Sequence, residues 1–292
     1  MHWRQATRTT RVATTIAAGV GVAFVACGAL DARGSDDRVK ALVAATQTYV
    51  ADLESKLAYG VFDEDCHQSA RGDAGSKDRV THGELFLTFL KADGDWIAVH
   101  DVAAVDGEPV PDREELAPLL QRGSLQSIRA DVTDRNARFN IGGISRNFNE
   151  PTLALLVFEP VRAADFDFSV ERISADPDGV RVATLRFEQK RDMAGTFISG
   201  SGHGRPRVKG TALVETDTGR VRQTLVTLDV DDLSVALTTT YTRDATSGLW
   251  LPSVFLERYE SRRKGNKELD TAETRYTNFR RFEVLGRIKN RN

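Results

Sequence analysis

Residues 63–67 bring three carboxylic acids, a thiol and an imidazole together in the sequence Asp-Glu-Asp-Cys-His. Alternate side chains of a β-strand share a face, so Asp63, Asp65 and His67 could converge on a metal ion, which needs three or four ligands. A nucleophilic Cys66 would need a positioned histidine, but the adjacent His67 would point to the opposite face. We therefore expect a polar, solvated edge strand, with no metal site and with Cys66 as a small apolar residue.

A second group, Gly-Ser-Gly-His-Gly at residues 200–204, is similar to a phosphate-binding glycine loop. Such a loop needs a helix after it, whereas residues 205–207 lead into a predicted strand. We therefore predict a flexible loop and no cofactor. His82 and His100 could approach each other across neighbouring strands, but no serine or cysteine motif points to them. Because G-x-S-x-G and H-E-x-x-H are absent, the sequence favours a protein that is not an enzyme, with a hydrolase as the less favoured reading.

The N-terminal residues have the composition of an export signal. Residues 1–11 hold three arginines and no acid, and residues 12–26 are mostly small and apolar. A basic segment, an apolar segment and then small residues are typical of a secretory signal peptide, here residues 1–29. The apolar run is short for a membrane span, which needs about 20 residues. We predict a periplasmic or extracellular protein.

Two routes of processing remain open. Signal peptidase could cleave after Ala29, which would remove Cys27 with the signal. Alternatively, Phe-Val-Ala-Cys at residues 24–27 resembles a bacterial lipobox, although Phe24 departs from the usual leucine. Cys27 would then be the site of lipid attachment, and the mature protein would be a lipoprotein that touches the membrane only through this anchor. An uncleaved signal anchor is a third reading.

The composition is that of a soluble globular domain. Of the 292 residues, 28% are charged and 40% are hydrophobic, and a chain of this length can bury a sizeable core. Removing the signal leaves 37 basic and 42 acidic residues, a net charge of −5. An acidic, exported protein argues against nucleic acid as a partner. Since no repeat and no Pro- or Ser-rich linker is present, we expect one domain over residues 30–292.

Hydrophobic periodicity defines the elements of this domain. Residues 35–57 carry apolar side chains at spacings of three, four and seven, which predicts an amphipathic helix. Apolar and polar residues alternate from residue 59 to residue 105 and again from residue 166 to residue 284, with turn sequences at regular intervals, which favours antiparallel strands. Residues 112–158 have helical spacing and form the predicted central helical segment. The fold class is therefore α+β, a curved antiparallel sheet packed on a long N-terminal helix and a central helical segment.

Two motifs resemble a known family. Val-Glu-Thr-Asp-Thr-Gly-Arg-Val at residues 214–221 resembles the strand–Asp-x-Thr-Gly–strand hairpin of the periplasmic lipoprotein-sorting carriers, the lipoprotein localisation factor-like superfamily. Gly-Leu-Trp-Leu-Pro at residues 248–252 is similar to the later strands of these domains. The resemblance covers residues 36–285 and implies an incomplete β-barrel around helices that holds acyl chains. No ligand-binding residue of the carriers has a counterpart here, and the chain also looks like uncharacterised exported bacterial proteins.

These observations lead to two functional hypotheses. The first is a cell-envelope binding protein that holds a lipid, an acyl chain or another apolar ligand in the half-barrel. The second is a surface scaffold that binds an envelope protein through an exposed strand edge or apolar patch, without a small ligand. Under the first hypothesis the apolar and aromatic residues expected to line the cavity, which could equally be plain core, are Leu87, Phe89, Trp96, Phe139, Phe148, Leu153, Leu156 and Phe158.

Overall fold

The computed structural model of the chain describes most of the predicted domain. The residues it describes are 28–73, 75–91, 93–111, 113, 135–144, 146, 150–176, 178–190, 207–230, 232–263 and 265–282. Cys27 and the rest of the signal before it, Phe148, residues 114–134 of the predicted helical segment and the glycine-rich residues 200–204 lie outside this part of the chain.

In the described ranges, eleven strands form one curved antiparallel sheet that does not close into a barrel. Their order is β4-β3-β2-β1-β11-β10-β9-β8-β7-β6-β5, so β4 and β5 are the two edges of the described sheet. The strands are β1 (Gly60–Gly72), β2 (Gly75–Leu90), β3 (Asp95–Val105), β4 (Glu108–Pro109), β5 (Phe166–Ala175), β6 (Arg181–Gln189), β7 (Lys209–Glu215), β8 (Val221–Val230), β9 (Leu233–Arg243), β10 (Trp250–Arg263) and β11 (Asn266–Arg281).

Most neighbouring strands are joined by short turns, as the alternation predicts. Asp106 and Gly107 both have positive φ, 51° and 87°, which is the backbone of a tight two-residue hairpin. The pairing of β1 with β11 is different, because it joins the first strand to the last, with Cys66 opposite Thr274. It places β1–β3 beside β10 and β11, so the centre of the sheet is built from both ends of the domain.

The N-terminal helix α1 (Gly28–Leu57) ends at the residue predicted from the periodicity. Leu42, Val50, Leu53 and Leu57 are buried on one stripe, as an amphipathic helix requires. The helix packs against β2, β5 and the 3₁₀ helix Leu153–Phe158. Of the helices in the described ranges, none has the length and apolar character needed to cross a bilayer.

Helix contributes little else to the described part of the central segment. Leu153–Phe158 is a 3₁₀ helix whose six residues are all buried, and α2 (Pro160–Ala163) follows it. Residues 135–137 form one further helical turn. The fold is therefore mostly sheet with a few helices, and its main core lies between the sheet, α1 and the 3₁₀ helix.

The two motifs that carry the family resemblance contact each other. The guanidinium groups of Arg220 and Arg222 lie over the ring of Trp250, at 5.2 and 4.5 Å from its centre. Both arginines also pair with the buried carboxylate of Glu215. At the tip of the same hairpin, Gly219 lies against the backbone of α1 at Ala45. The hairpin thus ties the later strands to the N-terminal helix.

Candidate functional site

The residues predicted to line a ligand cavity lie mainly in the core. Leu87, Trp96 and the predicted members of the 3₁₀ helix, Leu153, Leu156 and Phe158, are buried in one cluster, and Phe89 packs against it. The rings of Phe89 and Trp96 meet edge to face at 5.2 Å. Phe139 lies elsewhere, beside a polar cavity, and Phe148 is outside the described residues. A role for these residues in ligand contact stays a prediction.

An open groove runs between α1 and the edge strand β5. Its volume is about 300 Å³, at the lower end of the range for small-molecule pockets. Its residues are Asp36, Val39, Lys40, Val43, Ala44, Gln47, Phe166, Asp167 and Phe168. The groove therefore combines an apolar floor with charged groups along its rim.

The floor of the groove continues into an aromatic cluster of the core. Phe168 stacks on Phe158 at 5.9 Å, and Phe166 meets Phe187 edge to face at 6.0 Å. Phe158, Phe166 and Phe187 are buried, whereas Phe168 is half-buried. A molecule in the groove would contact Phe168 directly and would have the predicted ligand residue Phe158 immediately behind it.

A second site lies at the centre of the sheet, under residues 135–144 and 146, which we call the strap. Gln68 of β1 holds the strap by accepting hydrogen bonds from the Ile141 amide and the Arg146 guanidinium and by donating to the Phe139 carbonyl. Asn136 of the strap donates to the carbonyl of Ala98 at 2.8 Å. The strap is therefore fixed to β1 and β3 by polar side chains that point inward.

The strap covers a polar cavity of about 30 Å³. Most of the residues around it come from the centre of the sheet, and the others come from the strap. They are Glu64, Cys66, Gln68, Thr81, His100, Val102, Asn136, Phe139, Asn140, Arg146, Phe255, Glu257, Ala272, Thr274 and Tyr276. We call this the polar cavity. Its walls depend on the β1–β11 pairing, since β1–β3 and β10–β11 meet here.

Charged groups of both signs are buried around the polar cavity. His100 Nδ1 lies 2.7 Å from a carboxylate oxygen of Glu64, and both side chains are buried. Arg146 lies over the ring of Tyr259 at 5.8 Å, and the Tyr259 hydroxyl donates to Glu257 at 2.6 Å. Burial raises the pKa of Glu257, while the charge of Arg146 opposes the rise. The site is therefore a compact, low-dielectric cluster of acids and bases.

Cys66 faces this cavity but is not prepared for nucleophilic chemistry. Burial raises the pKa of its thiol to about 12, with the charges of Glu64 and Glu257 acting in the same direction. The thiolate is the reactive form of cysteine, so a thiol with this pKa is inert near neutral pH. That Cys66 serves as a small apolar residue stays a prediction, since its thiol lies beside Thr274 and the carboxyl groups of Glu64 and Glu257.

The opposite face of β1 carries the carboxylates considered as metal ligands. Asp63 pairs with Arg280 at 2.7 Å, Asp65 pairs with His82, and His67 is exposed. Over the ranges that the structure describes, no three such side chains converge on a point where a metal ion could bind. His82 and His100 also do not approach each other, because their partners Asp65 and Glu64 are consecutive on β1 and face opposite sides of the sheet.

Sequence reasoning missed the polar cavity. The relevant signal is the set of polar residues at inward positions of otherwise apolar strand faces. On β1, Glu64 and Gln68 lie between Phe62 and Ala70 on the inward face, and on β10, Glu257 lies between Phe255 and Tyr259. Inward polar residues on two strands indicate a buried polar network only if the strands lie close together in the sheet. The β1–β11 pairing, which brings β1 within one strand of β10, has no local signature.

Comparisons with known proteins assign no function to this arrangement. No protein-family model matches the chain, and no curated protein sequence matches it. A DUF1329 family protein from Desulfovibrio piger is 12% identical over 85% of this chain and 95% of that one, with a TM-score of 0.39. An outer membrane lipoprotein-sorting protein domain from Vibrio parahaemolyticus is 12% identical over 82% and 93%, with a TM-score of 0.38.

Proposed function

We propose that the protein is an exported binding protein of the cell envelope that takes a single apolar chain, such as an acyl chain, in the groove between α1 and β5. The observation that carries the proposal is the groove itself, about 300 Å³ in volume and floored by Val39, Val43 and two phenylalanines of β5. Apolar floors with a few polar groups at the mouth are typical of ligand pockets. The core behind Phe168 is packed, which favours the groove over the sheet interior as the binding place.

The charges at the rim specify the kind of ligand. Asp36, Lys40 and Asp167 stand at the mouth, where a polar head group would remain in water. The ligand class is therefore an amphiphile with one alkyl chain. Burial of each methylene contributes about 0.8 kcal/mol, which corresponds to about a fourfold gain in affinity per methylene until the groove is filled.

Titration with alkyl carboxylates of increasing chain length tests the proposal. We expect affinity to rise by about fourfold per methylene and then to level off. Ala44→Trp should abolish binding, because Ala44 lines the groove and a bulky ring fills it. Ala41→Trp is the matched control, since Ala41 is exposed on the same helix but does not line the groove. Equal binding by the two variants would contradict the assignment.

The exposed edge strand β5 supports a second candidate, a protein-binding module. Residues 171–175 are exposed, and Ile173 keeps 48% of its surface accessible. A free strand edge can pair with a partner chain. However, β5 has an irregular register between Val170 and Arg172 and carries Glu171 and Arg172 there, which are devices that protect an edge.

Mass spectrometry of lipid bound to the purified protein, compared with capture of proteins from envelope extracts, separates the two candidates. Co-purified lipid that Ala44→Trp removes favours the binding protein. A stoichiometric protein partner that Ile173→Lys removes, without lipid, favours the module.

The location and the anchor remain part of the proposal. The export signal of residues 1–29 and the lipobox-like residues 24–27 suggest a periplasmic or extracellular protein held at a membrane through Cys27. Two or more acyl chains anchor a protein far more firmly than one, so a lipidated form would act as a docked acceptor rather than a shuttle. Cys27→Ser tests this: if the variant is processed at the same place and is as soluble as the wild type, the lipoprotein reading is wrong.

A further inference from the structure

One buried hydrogen-bonding group in the polar cavity, the Nε of Arg146, has no partner among the described protein atoms, and its residue is 2% exposed. The hydroxyl of Tyr276, in a residue that is 5% exposed, lies in the same cavity beside Thr274, which leaves it free to make a second hydrogen bond. The Arg146 Nε can only donate a hydrogen bond, while a tyrosine hydroxyl can donate and accept. Buried polar groups nearly always have a partner, in the protein or in ordered water. Their position in one cavity therefore indicates an occupant.

The charges around the cavity restrict the chemistry of that occupant. An anion would meet the carboxyl groups of Glu64 and Glu257, which line the same cavity. A metal ion would meet the guanidinium of Arg146, and the described residues provide no three-ligand cluster. A neutral molecule that both donates and accepts hydrogen bonds is compatible with the guanidinium, the hydroxyl and the carboxyl groups around the cavity.

The size of the cavity restricts the occupant further. Its volume of about 30 Å³ compares with the roughly 10–15 Å³ that one water requires. We propose that the polar cavity is a binding site for a pair of ordered water molecules. One accepts from Arg146 Nε, and together they contact the Tyr276 hydroxyl and the carboxyl groups of Glu64 and Glu257. The waters join the strap to β1, β10 and β11, far from the groove at β5.

Counting long-lived waters by ¹⁷O relaxation dispersion of the folded protein tests the site directly. Ala272→Val should reduce the count, because Ala272 lines the cavity and the larger side chain takes the space of water. The matched control is Ala183→Val, at an equally buried alanine in the apolar core, which should leave the count unchanged. An unchanged count in Ala272→Val, or a small organic molecule that co-purifies and is lost in that variant, would overturn the proposal.

A second variant tests the site even if Ala272→Val does not fold. Tyr276→Phe is made in a Thr274→Val background, where the Tyr276 hydroxyl has lost its neighbour Thr274 and has no other partner among the described protein atoms. If water binds that hydroxyl, the variant loses a hydrogen bond and its urea midpoint falls. If nothing binds it, removal of an unsatisfied buried group raises the midpoint, and the water site is refuted.

Discussion

The backbone of Gly142 in the strap lies directly on the carboxylate of Asp270 in β11. A Cβ atom at Gly142 would overlap both carboxylate oxygens, and one at Gly143 would come within 2.8 Å of Glu268 Oε2. The amide of Gly143 also donates a hydrogen bond to Glu268. Two consecutive glycines therefore allow the backbone of the strap to lie directly on two acidic residues of the sheet.

Gly142→Ala should be strongly destabilising for two separable reasons. The residue has a φ of +93°, which disfavours any side chain, and the added methyl group meets Asp270. We expect a loss of about 3 kcal/mol in the free energy of unfolding. Gly107→Ala is the control, with a similar φ of +87° but open space around it, and should cost only about 1 kcal/mol. Equal losses in urea unfolding would show that Asp270 does not constrain the strap.

Asp270 should make stability depend on pH. Burial and the neighbouring charge of Glu268 raise its pKa to about 6, against an ordinary value of 3.8. The folded state binds this proton more tightly than the unfolded state does. The contribution of Asp270 to the free energy of unfolding is therefore complete below about pH 4 and is lost as the pH rises through 6. Urea unfolding should show a loss on the order of 1–3 kcal/mol over this interval that is absent in Asp270→Asn. Asp217→Asn, at an exposed residue, should leave the pH dependence of stability as it is in the wild type.

Local patterns in the sequence predict most of the sheet. Alternation and turn residues locate β1–β3 and β5–β11, and the periodicity of residues 35–57 locates the C-terminal end of α1. Some ends differ from the prediction; for example, α1 begins at Gly28 where the periodicity predicts a start at residue 35. Short hairpins need only neighbouring residues to specify them, which is why this part of the fold is readable from one sequence.

Features that depend on distant residues are not readable in this way. The β1–β11 register, with Gly60 opposite Arg281, joins segments separated by nearly the whole domain. Arg146 becomes a buried charge only because Gln68 of β1 and Tyr259 of β10, which are far apart in the sequence, both meet it. The role of Arg146 therefore depends on the tertiary structure, whereas the hairpin at residues 214–221 is specified by residues that are adjacent in the sequence.

Glu54 provides a further pH prediction at the other end of the molecule. The residue is buried on α1, and burial together with a hydrogen bond to Glu159 raises its pKa to about 9. The folded state again binds the proton more tightly than the unfolded state does. The contribution of Glu54 to the free energy of unfolding is therefore complete below about pH 4.5 and falls as the pH rises towards 9. Glu54→Gln should reduce the change of the thermal-unfolding midpoint with pH between pH 5 and 8. Asp52→Asn, at an exposed site on the same helix, should not.

Gly219→Ala tests whether the Asp-x-Thr-Gly hairpin holds α1 in place. Gly219 has a φ of +69°, and a Cβ atom there would overlap the backbone of Ala45 and Thr46, which cannot move without shifting the helix. We expect a loss of about 3 kcal/mol or more and weaker binding in the groove, since Val43 and Ala44 lie on the same turn of α1. Gly248→Ala is a close control because its φ is +71° and its nearest neighbour is the end of a flexible arginine at 3.7 Å. It should cost about 1 kcal/mol and leave alkyl-chain binding unchanged. If both variants bind and unfold alike, the hairpin does not position the helix.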